Sequence, residues 1–190
     1  MDTEIFLIRH AFSMESILQE RTIELDRKGQ EDAEEVGMIL EQKKISAVIS
    51  SPYPRAIQTV GRLAVQNGVD LTMDGRFRER KLAEDAYEIE DIAASLRYCF
   101  DRPTFAYPGG ESNNDALRRG VEGVYDVAKT FAGKLIVIGL HGNILSIILN
   151  YFDEQHEDLP GNSHTAAVYK LIFRNGQFAA IERVWIKQPV

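Results

Sequence analysis

Two arginines and two histidines of this 190-residue chain have the residue types needed for phosphoryl chemistry. Arg9 with His10, then Arg55, and finally His141 come at or shortly after the ends of three short apolar segments. A guanidinium is a permanently charged, planar group that matches phosphate oxygens, and an imidazole can donate a hydrogen bond or attack phosphorus. The set therefore suits a tetrahedral anion, most simply a phosphoryl group.

A metal cation suits the same set poorly. Arginine repels a cation, and the carboxylates are not clustered with the histidines along the chain. Cys99 is the only cysteine, so the sequence allows neither an intrachain disulfide nor a cysteine-based zinc site. We therefore expect no metal ion and no cofactor.

The overall charge limits the classes of partner. The formal net charge of −7 argues against general binding of nucleic acid or of an anionic membrane, because both need a basic surface. We expect instead a small-molecule phosphate ester, bound in a local basic pocket. No secretory signal or membrane-spanning segment is recognisable, which favours a cytoplasmic protein. No heptad pattern predicts an oligomeric state.

Alternating strands and helices must position these side chains. Short apolar runs have the length of strands buried on both faces, and Asn175-Gly176 is a strong hairpin signal near the C-terminus. The pattern predicts an α/β fold with a mostly parallel sheet and a C-terminal antiparallel hairpin. The predicted strands are 5–8, 45–50, 69–73, 135–140, 166–173 and 178–185.

Cap and turn residues mark the helices between the strands. Asp26 is predicted to cap the first helix, and Gly68 suits the end of the second. Ser112 with Asp115 resembles a capping box, with Asp in place of the usual Glu or Gln. The predicted helices are 26–42, 54–67, 89–100, 113–131 and 144–152. The helix 113–131 is expected to direct inward Leu117, Val121, Val124 and Val127 or Ala128.

The strand ends are the expected place for a ligand. Ligands of open α/β sheets bind outside the carboxyl ends of the strands. If the three strands that precede the charged residues are parallel neighbours, then Arg9, His10, Arg55 and His141 converge on one side of the sheet.

Five short motifs carry a resemblance to a known family. In chain order they are "LIRHAFS", "ISSPYPRAIQT", "FRERKL", "GGES" and "IGLHGN". The same motifs occur in the same order in the histidine phosphatase superfamily, which includes phosphoglycerate mutases and many bacterial phosphatases. The chain most resembles the small bacterial phosphatases of this superfamily. The resemblance implies a three-layer α/β/α sandwich, no metal requirement and one domain over 1–190, with 80–108 as a lid or insertion over the site.

The resemblance also implies a role for each charged residue. His10 would be the nucleophile that forms a phosphohistidine, and the flanking arginines disfavour its protonation. Arg9, Arg55 and a protonated His141 would neutralise the phosphate. The remaining phosphate-binding positions are expected to be Ser16 and Gly142.

A carboxyl group completes the implied machinery. Glu79 in "FRERKL" corresponds to the proton donor for the leaving group, and later to the base that activates water. Four nearby carboxylates compete with it on sequence grounds. They are Glu84, Asp85, Glu88 and Glu90.

Three functions are open at this point. The leading one is a metal-independent phosphomonoesterase that hydrolyses a small phosphorylated metabolite through a phosphohistidine at His10. Phosphoglycerate mutase-type transfer is disfavoured, because no arginine pair like that of the mutases lies between Arg80 and Gly110. A non-catalytic phospho-ligand binder is the third, since Ala11 stands where the superfamily usually has a glycine, and a methyl group there can crowd the phosphate.

Overall fold

The computed structural model describes residues 1–13, 21–153 and 166–187. Every predicted strand and helix is present, with ends that differ by at most three residues. In chain order the elements are β1 (Thr3–Arg9), α1 (Arg27–Ile39), β2 (Ala47–Ser50), α2 (Pro54–Asn67), β3 (Leu71–Met73), a one-turn 3-10 helix (Gly75–Phe77), α3 (Ile92–Asp101), α4 (Asn113–Thr130), β4 (Leu135–Leu140), α5 (Gly142–Phe152), β5 (Ala167–Arg174) and β6 (Gln177–Ile186).

The six described strands form one sheet in the order β3-β2-β4-β1-β5-β6. The first four in that order are parallel, whereas β5 is antiparallel to β1 and β6 is antiparallel to β5. Asn175 (φ 52°) and Gly176 (φ 78°) both have positive φ at the β5–β6 turn. This is the backbone that a two-residue type I′ hairpin requires, so the hairpin prediction is confirmed.

Side chains of the sheet alternate between two helical layers. Ile5 and Leu7 of β1 pack with α4 and α5, whereas Phe6 and Ile8 pack with α1 and α2. The same alternation occurs in β4, and this period of two is what a sheet buried on both faces requires. The α/β/α sandwich with a mostly parallel sheet and an antiparallel hairpin is therefore confirmed.

Two predicted helix caps are present, but the one at Ser112 is not a full capping box. Asp26 accepts a hydrogen bond from the Gly29 amide at 2.7 Å, and Ser112 Oγ accepts one from the Asp115 amide at 3.1 Å. The Ser112 hydroxyl in turn donates to the Asp115 carboxylate at 2.6 Å. In a full capping box that carboxylate accepts from the backbone of the cap residue, so the box is only half formed.

The inward face of α4 agrees with the prediction only in part, because Val124, Val127 and Ala128 are buried as expected. Leu117 and Val121 are partly exposed, and the buried line instead includes Ala116 and Gly120. A Cβ on Gly120 would lie 3.0 Å from Ile144 Cδ1. Small residues therefore line this face because α4 packs closely against α5, which hydrophobicity alone does not indicate.

Three strands end at one edge and define where the site lies. Both Ile8 of β1 and Ser50 of β2 pair with Gly139 of β4, so the carboxyl ends of these neighbours are level. The predicted convergence of strand ends is thus confirmed. None of the helices in the described ranges is long and apolar enough to cross a membrane.

Candidate active site

His10 lies directly after β1, and its backbone amide donates to Leu140 O at 2.9 Å. The imidazole Nδ1 is 2.7 Å from Ala11 O, and Nε2 is 3.1 Å from Arg55 Nε. A carbonyl can only accept a hydrogen bond and a guanidinium can only donate one. Nδ1 therefore carries the proton, and Nε2 presents a lone pair at the strand end.

Arg55 reaches His10 from the first turn of α2, where Pro54 occupies a helix-starting position. The arginine is 4% exposed, and its guanidinium lies 5.2 Å from the centre of the Tyr53 ring. Thr59, one turn further along α2, donates to Arg55 O at 2.7 Å and accepts from the Ala11 amide at 3.0 Å. Thr59 thus ties α2 to the segment that follows His10.

His141 follows β4 and is the N-cap residue of α5. Its ring is fully buried, with the centroid 5.2 Å from that of His10 and 5.0 Å from that of Tyr53. Nε2 lies 2.7 Å from Ser51 Oγ, whereas Nδ1 has no hydrogen-bond partner among the described residues. The second ring nitrogen is therefore buried without a hydrogen-bond partner in the described protein.

Arg9 lies against the first residue of α5. A Cβ built on Gly142 would be 3.1 Å from Arg9 Cζ and from its Nη2. A glycine at this position therefore allows the guanidinium to contact the helix backbone. The structure brings together Arg9, His10, Arg55 and His141 as predicted, whereas Ser16 lies outside the described residues.

Glu79 occupies the N-terminus of α5, beside His141. Its Oε2 accepts from the Asn143 amide at 3.0 Å and from Asn143 Nδ2 at 3.3 Å. Oε1 accepts from the amides of Ile144 at 3.0 Å and of Arg80 at 2.8 Å. A carboxylate is stabilised at a helix N-terminus by the free amides and the helix dipole. The side chain is thus held firmly on the same strand-end edge as His10.

Burial separates Glu79 from the carboxylates that compete with it in the sequence. Glu79 is 8% exposed, whereas the competitors are all classed as exposed, namely Glu84, Asp85, Glu88 and Glu90. Glu79, by contrast, places its carboxylate against α5, where it accepts from the amides of Asn143 and Ile144.

Ala11 fits its position without backbone strain. Among the described residues, Asn175 is the only non-glycine with positive φ, so Ala11 does not need the conformational freedom of glycine. Its methyl group is fully buried and packs in the core layer with Leu25 and Ala33. The replacement of the usual glycine therefore adds core packing and does not distort the backbone that follows His10.

Burial and positive charge set the protonation of both histidines. Burial lowers the pKa of His10 well below the ordinary 6.5, and the charges of Arg55 and Arg9 lower it further. Burial is also the main cause that lowers the pKa of His141, followed by Arg55. The lowered pKa favours a neutral His141 in the free protein, and its protonation beside a bound phosphate stays a prediction.

The sequence pattern that defines the histidine phosphatase superfamily (branch 1) matches residues 5–185. The chain belongs to the histidine phosphatase superfamily. No curated protein matches the chain in sequence.

Solved structures of several other proteins share the fold at low sequence identity. Bacillus stearothermophilus YhfR has a TM-score of 0.75 and 23% identity, covering 93% of this chain and 94% of its own. A mycobacterial glucosyl-3-phosphoglycerate phosphatase has a TM-score of 0.71 and 20% identity, and the match covers 90% of this chain and 91% of that protein. A phosphoglycerate mutase from Bacillus anthracis str. Sterne has a TM-score of 0.73 and 16% identity, and the match covers 96% of this chain and 92% of that protein. At these identities the likeness establishes the fold alone.

Several supporting residues of this histidine phosphatase superfamily site were not singled out from the sequence. Ser51 contacts His141, Thr59 links α2 to Ala11, and Asn143 holds Glu79. A usable signal existed for the first two, because both lie in the quoted motif "ISSPYPRAIQT" and Thr59 is one helical turn after Arg55. Asn143 ends the motif "IGLHGN", but its contact with Glu79 joins residues 64 apart in the chain.

No three His, Cys, Asp or Glu side chains within 1–13, 21–153 and 166–187 come together as a candidate metal site. The expected independence from metal ions stays a prediction, which chelation can test directly.

The buried neutral histidines predict a pH-dependent stability. Their folded-state pKa values lie below 6.5, so the unfolded chain binds more protons between those values and 6.5. The free energy of unfolding should therefore fall as the pH is lowered below about 6.5. We expect the urea midpoint at pH 5 to lie below that at pH 7, with a smaller drop for His10→Gln, which loses one titrating ring. Equal drops for the two proteins would contradict this.

Proposed function

We propose that the protein is a metal-independent phosphomonoesterase that hydrolyses a small phosphorylated metabolite through a phosphohistidine at His10. The observation that carries the proposal is the state of His10. Its Nε2 lone pair faces Arg55, with the proton held on Nδ1 by the Ala11 carbonyl. Superfamily membership agrees with phosphoryl transfer as the chemistry.

The first step begins with displacement of one hydrogen bond. Arg55 Nε–H occupies the Nε2 lone pair in the free protein, so it must turn to a phosphate oxygen before His10 attacks. Arg9, which lies against Gly142, and the unpaired Nδ1 of His141 are proposed to supply further contacts to the phosphoryl oxygens. The P–N bond then forms as the bond from phosphorus to the alcohol oxygen breaks. Ser16 and Gly142 remain proposed phosphate contacts.

Glu79 is proposed to handle the proton. Its N–H contacts hold the side chain at the N-terminus of α5, and the acid role requires its protonated form. The carboxyl group then protonates the leaving alkoxide. The resulting carboxylate takes a proton from water, which attacks the phosphohistidine and releases inorganic phosphate.

Three broader proposals accompany this one. The segment 80–108, which contains α3, is proposed to act as a lid or insertion of a single domain, and it supplies the aromatic residues Tyr87, Tyr98, Phe105 and Tyr107. A cytoplasmic location is proposed because the sequence has a single cysteine, which is buried and free. The proposed partner is a small phosphate ester rather than nucleic acid or membrane.

The test is release of inorganic phosphate from a panel of phosphomonoesters in the presence of EDTA. The panel runs from p-nitrophenyl phosphate to phosphoglycerates and sugar phosphates. We expect turnover that EDTA does not reduce, and the preferred ester begins to define the substrate. Isomerised phosphoglycerate without free phosphate would instead indicate a mutase. Phosphate-ester binding without any turnover would indicate a silent binder.

A further inference from the structure

Arg119 of α4 makes a dense set of contacts behind the proposed site. Its Nε and Nη2 donate to the two carboxylate oxygens of Glu111, each at 2.7 Å, as a bidentate fork. Nη1 donates to the backbone carbonyls of Arg76 and Arg78, the latter at 2.9 Å, and Nη2 lies 3.4 Å from Glu79 O. Every donor group of the guanidinium is engaged, and the side chain is only 12% exposed.

These carbonyls belong to the segment that presents Glu79. After the one-turn 3-10 helix, residues 78–91 contain no regular helix or strand, so neighbours must hold the backbone in place. A second contact with α4 supports the segment at Phe77, whose ring fills the space above Gly123. A Cβ on Gly123 would lie 2.9 Å from Phe77 Cζ.

Glu79 therefore contacts two helices. Its backbone carbonyl faces Arg119 of α4, whereas its carboxylate caps α5 next to His141. A shift of this segment would move the carboxylate relative to His10 and to the leaving group. Proton transfer requires the acid within hydrogen-bond reach, so small displacements there have large kinetic effects.

We propose that Arg119, held by Glu111, is a positioning residue that sets the acid Glu79 for protonation of the leaving group. This inference rests on the proposed function and adds a residue that does not touch the substrate. The other arginine on Glu111 is less suited to the role, because Arg78 is 40% exposed and makes a single 3.1 Å contact with that carboxylate. Lysine cannot reproduce the fork, since it has one ammonium group and no planar pair of donors.

The test compares kcat/KM for two classes of ester. The leaving group of p-nitrophenyl phosphate is a stable phenolate, which needs little help from an acid. The leaving group of an alkyl phosphate such as glycerol phosphate is an alkoxide, which must gain a proton. General acid catalysis contributes about 10²–10⁴-fold, so Arg119→Met should lower kcat/KM for the alkyl ester by roughly 10²-fold or more. The kcat/KM for the aryl ester should change by less than about threefold, because its leaving group does not require protonation by the acid.

Matched variants separate positioning from folding. Arg118→Met changes the neighbouring arginine of α4, which is 74% exposed, and should leave both esters unaffected. Arg119→Lys keeps the positive charge but lacks the planar pair of donors, so it should show the same selective loss on the alkyl ester to a smaller degree. This variant also tests the inference if Arg119→Met does not fold. An equal loss on both esters in the folded variants would indicate a structural role only and would overturn the inference.

Glu79→Gln distinguishes this inference from its premise. If Glu79→Gln shows the selective loss on the alkyl ester and the Arg119 variants do not, Glu79 is the acid and Arg119 does not position it. If Glu79→Gln also lacks the selective loss, the assignment of the acid fails, and the positioning role fails with it.

Discussion

Replacement of His10 by alanine is expected to abolish phosphate release from every ester of the panel. Of the two histidines that the structure describes, the variant lacks the one whose Nε2 is held unprotonated by an arginine and a carbonyl at the strand end. Removal of a covalent nucleophile typically costs on the order of 10⁴-fold or more in kcat. Water in the vacated space is a poor replacement, because it has neither the position nor the leaving-group properties of the imidazole.

The covalent step can be observed directly. Wild-type protein quenched during turnover should carry a phosphate that is labile in acid and stable in base, as expected of a phosphohistidine, and His10→Ala should carry none. His156→Ala is a suitable control, because the sequence assigns no catalytic role to that histidine. Full activity of a correctly folded His10→Ala would show that His10 is not the nucleophile, whatever the activity of the other variants.

The fold could be predicted well from the sequence, because its signals are local. Apolar runs of strand length and Asn175-Gly176 are enough to place the strands and the final hairpin. The strand-end rule then brings together His10 and His141, which lie 131 positions apart. Only part of the inward face of α4 could be predicted, because the close approach of Gly120 to Ile144 depends on how two helices pack.

The state of the site depends on contacts that are distant in sequence. Arg119 contacts Glu79 across 40 positions, and Ser51 contacts His141 across 90. The neutral form of His141 follows from its burial and from the charge of Arg55 beside it, and neither is visible in a motif. Residue types at strand ends therefore predict the chemistry, whereas protonation and positioning require the packed structure.

Substitution of Arg55 is expected to separate its charge from its geometry. Arg55→Met should lower kcat/KM by about 10²–10³-fold, the usual effect of removing one preorganised donor to a developing anion. Arg55→Lys keeps the positive charge but cannot both stack on Tyr53 and present a planar fork. We therefore expect a loss for the lysine variant that approaches the loss for the methionine variant.

The pH profile of kcat/KM distinguishes the two Arg55 variants. This parameter reports ionisations of the free enzyme, and the reaction needs His10 neutral. After burial, the charge of Arg55 is the next cause that lowers the pKa of His10. Arg55→Met should therefore raise that pKa and move the acid limb of the profile to higher pH, whereas Arg55→Lys should leave the limb near its wild-type position.

The control for this experiment lies on the same helix. Arg62→Met removes an arginine of α2 whose side chain is 52% exposed and 3.8 Å from a Glu34 oxygen, so neither the rate nor the acid limb should change. An unshifted acid limb in Arg55→Met, with the rate still reduced, would mean that Arg55 binds phosphate without controlling the protonation of His10. A shifted limb in the methionine variant alone would establish that one guanidinium both keeps the nucleophile neutral and receives the phosphoryl group that the nucleophile attacks.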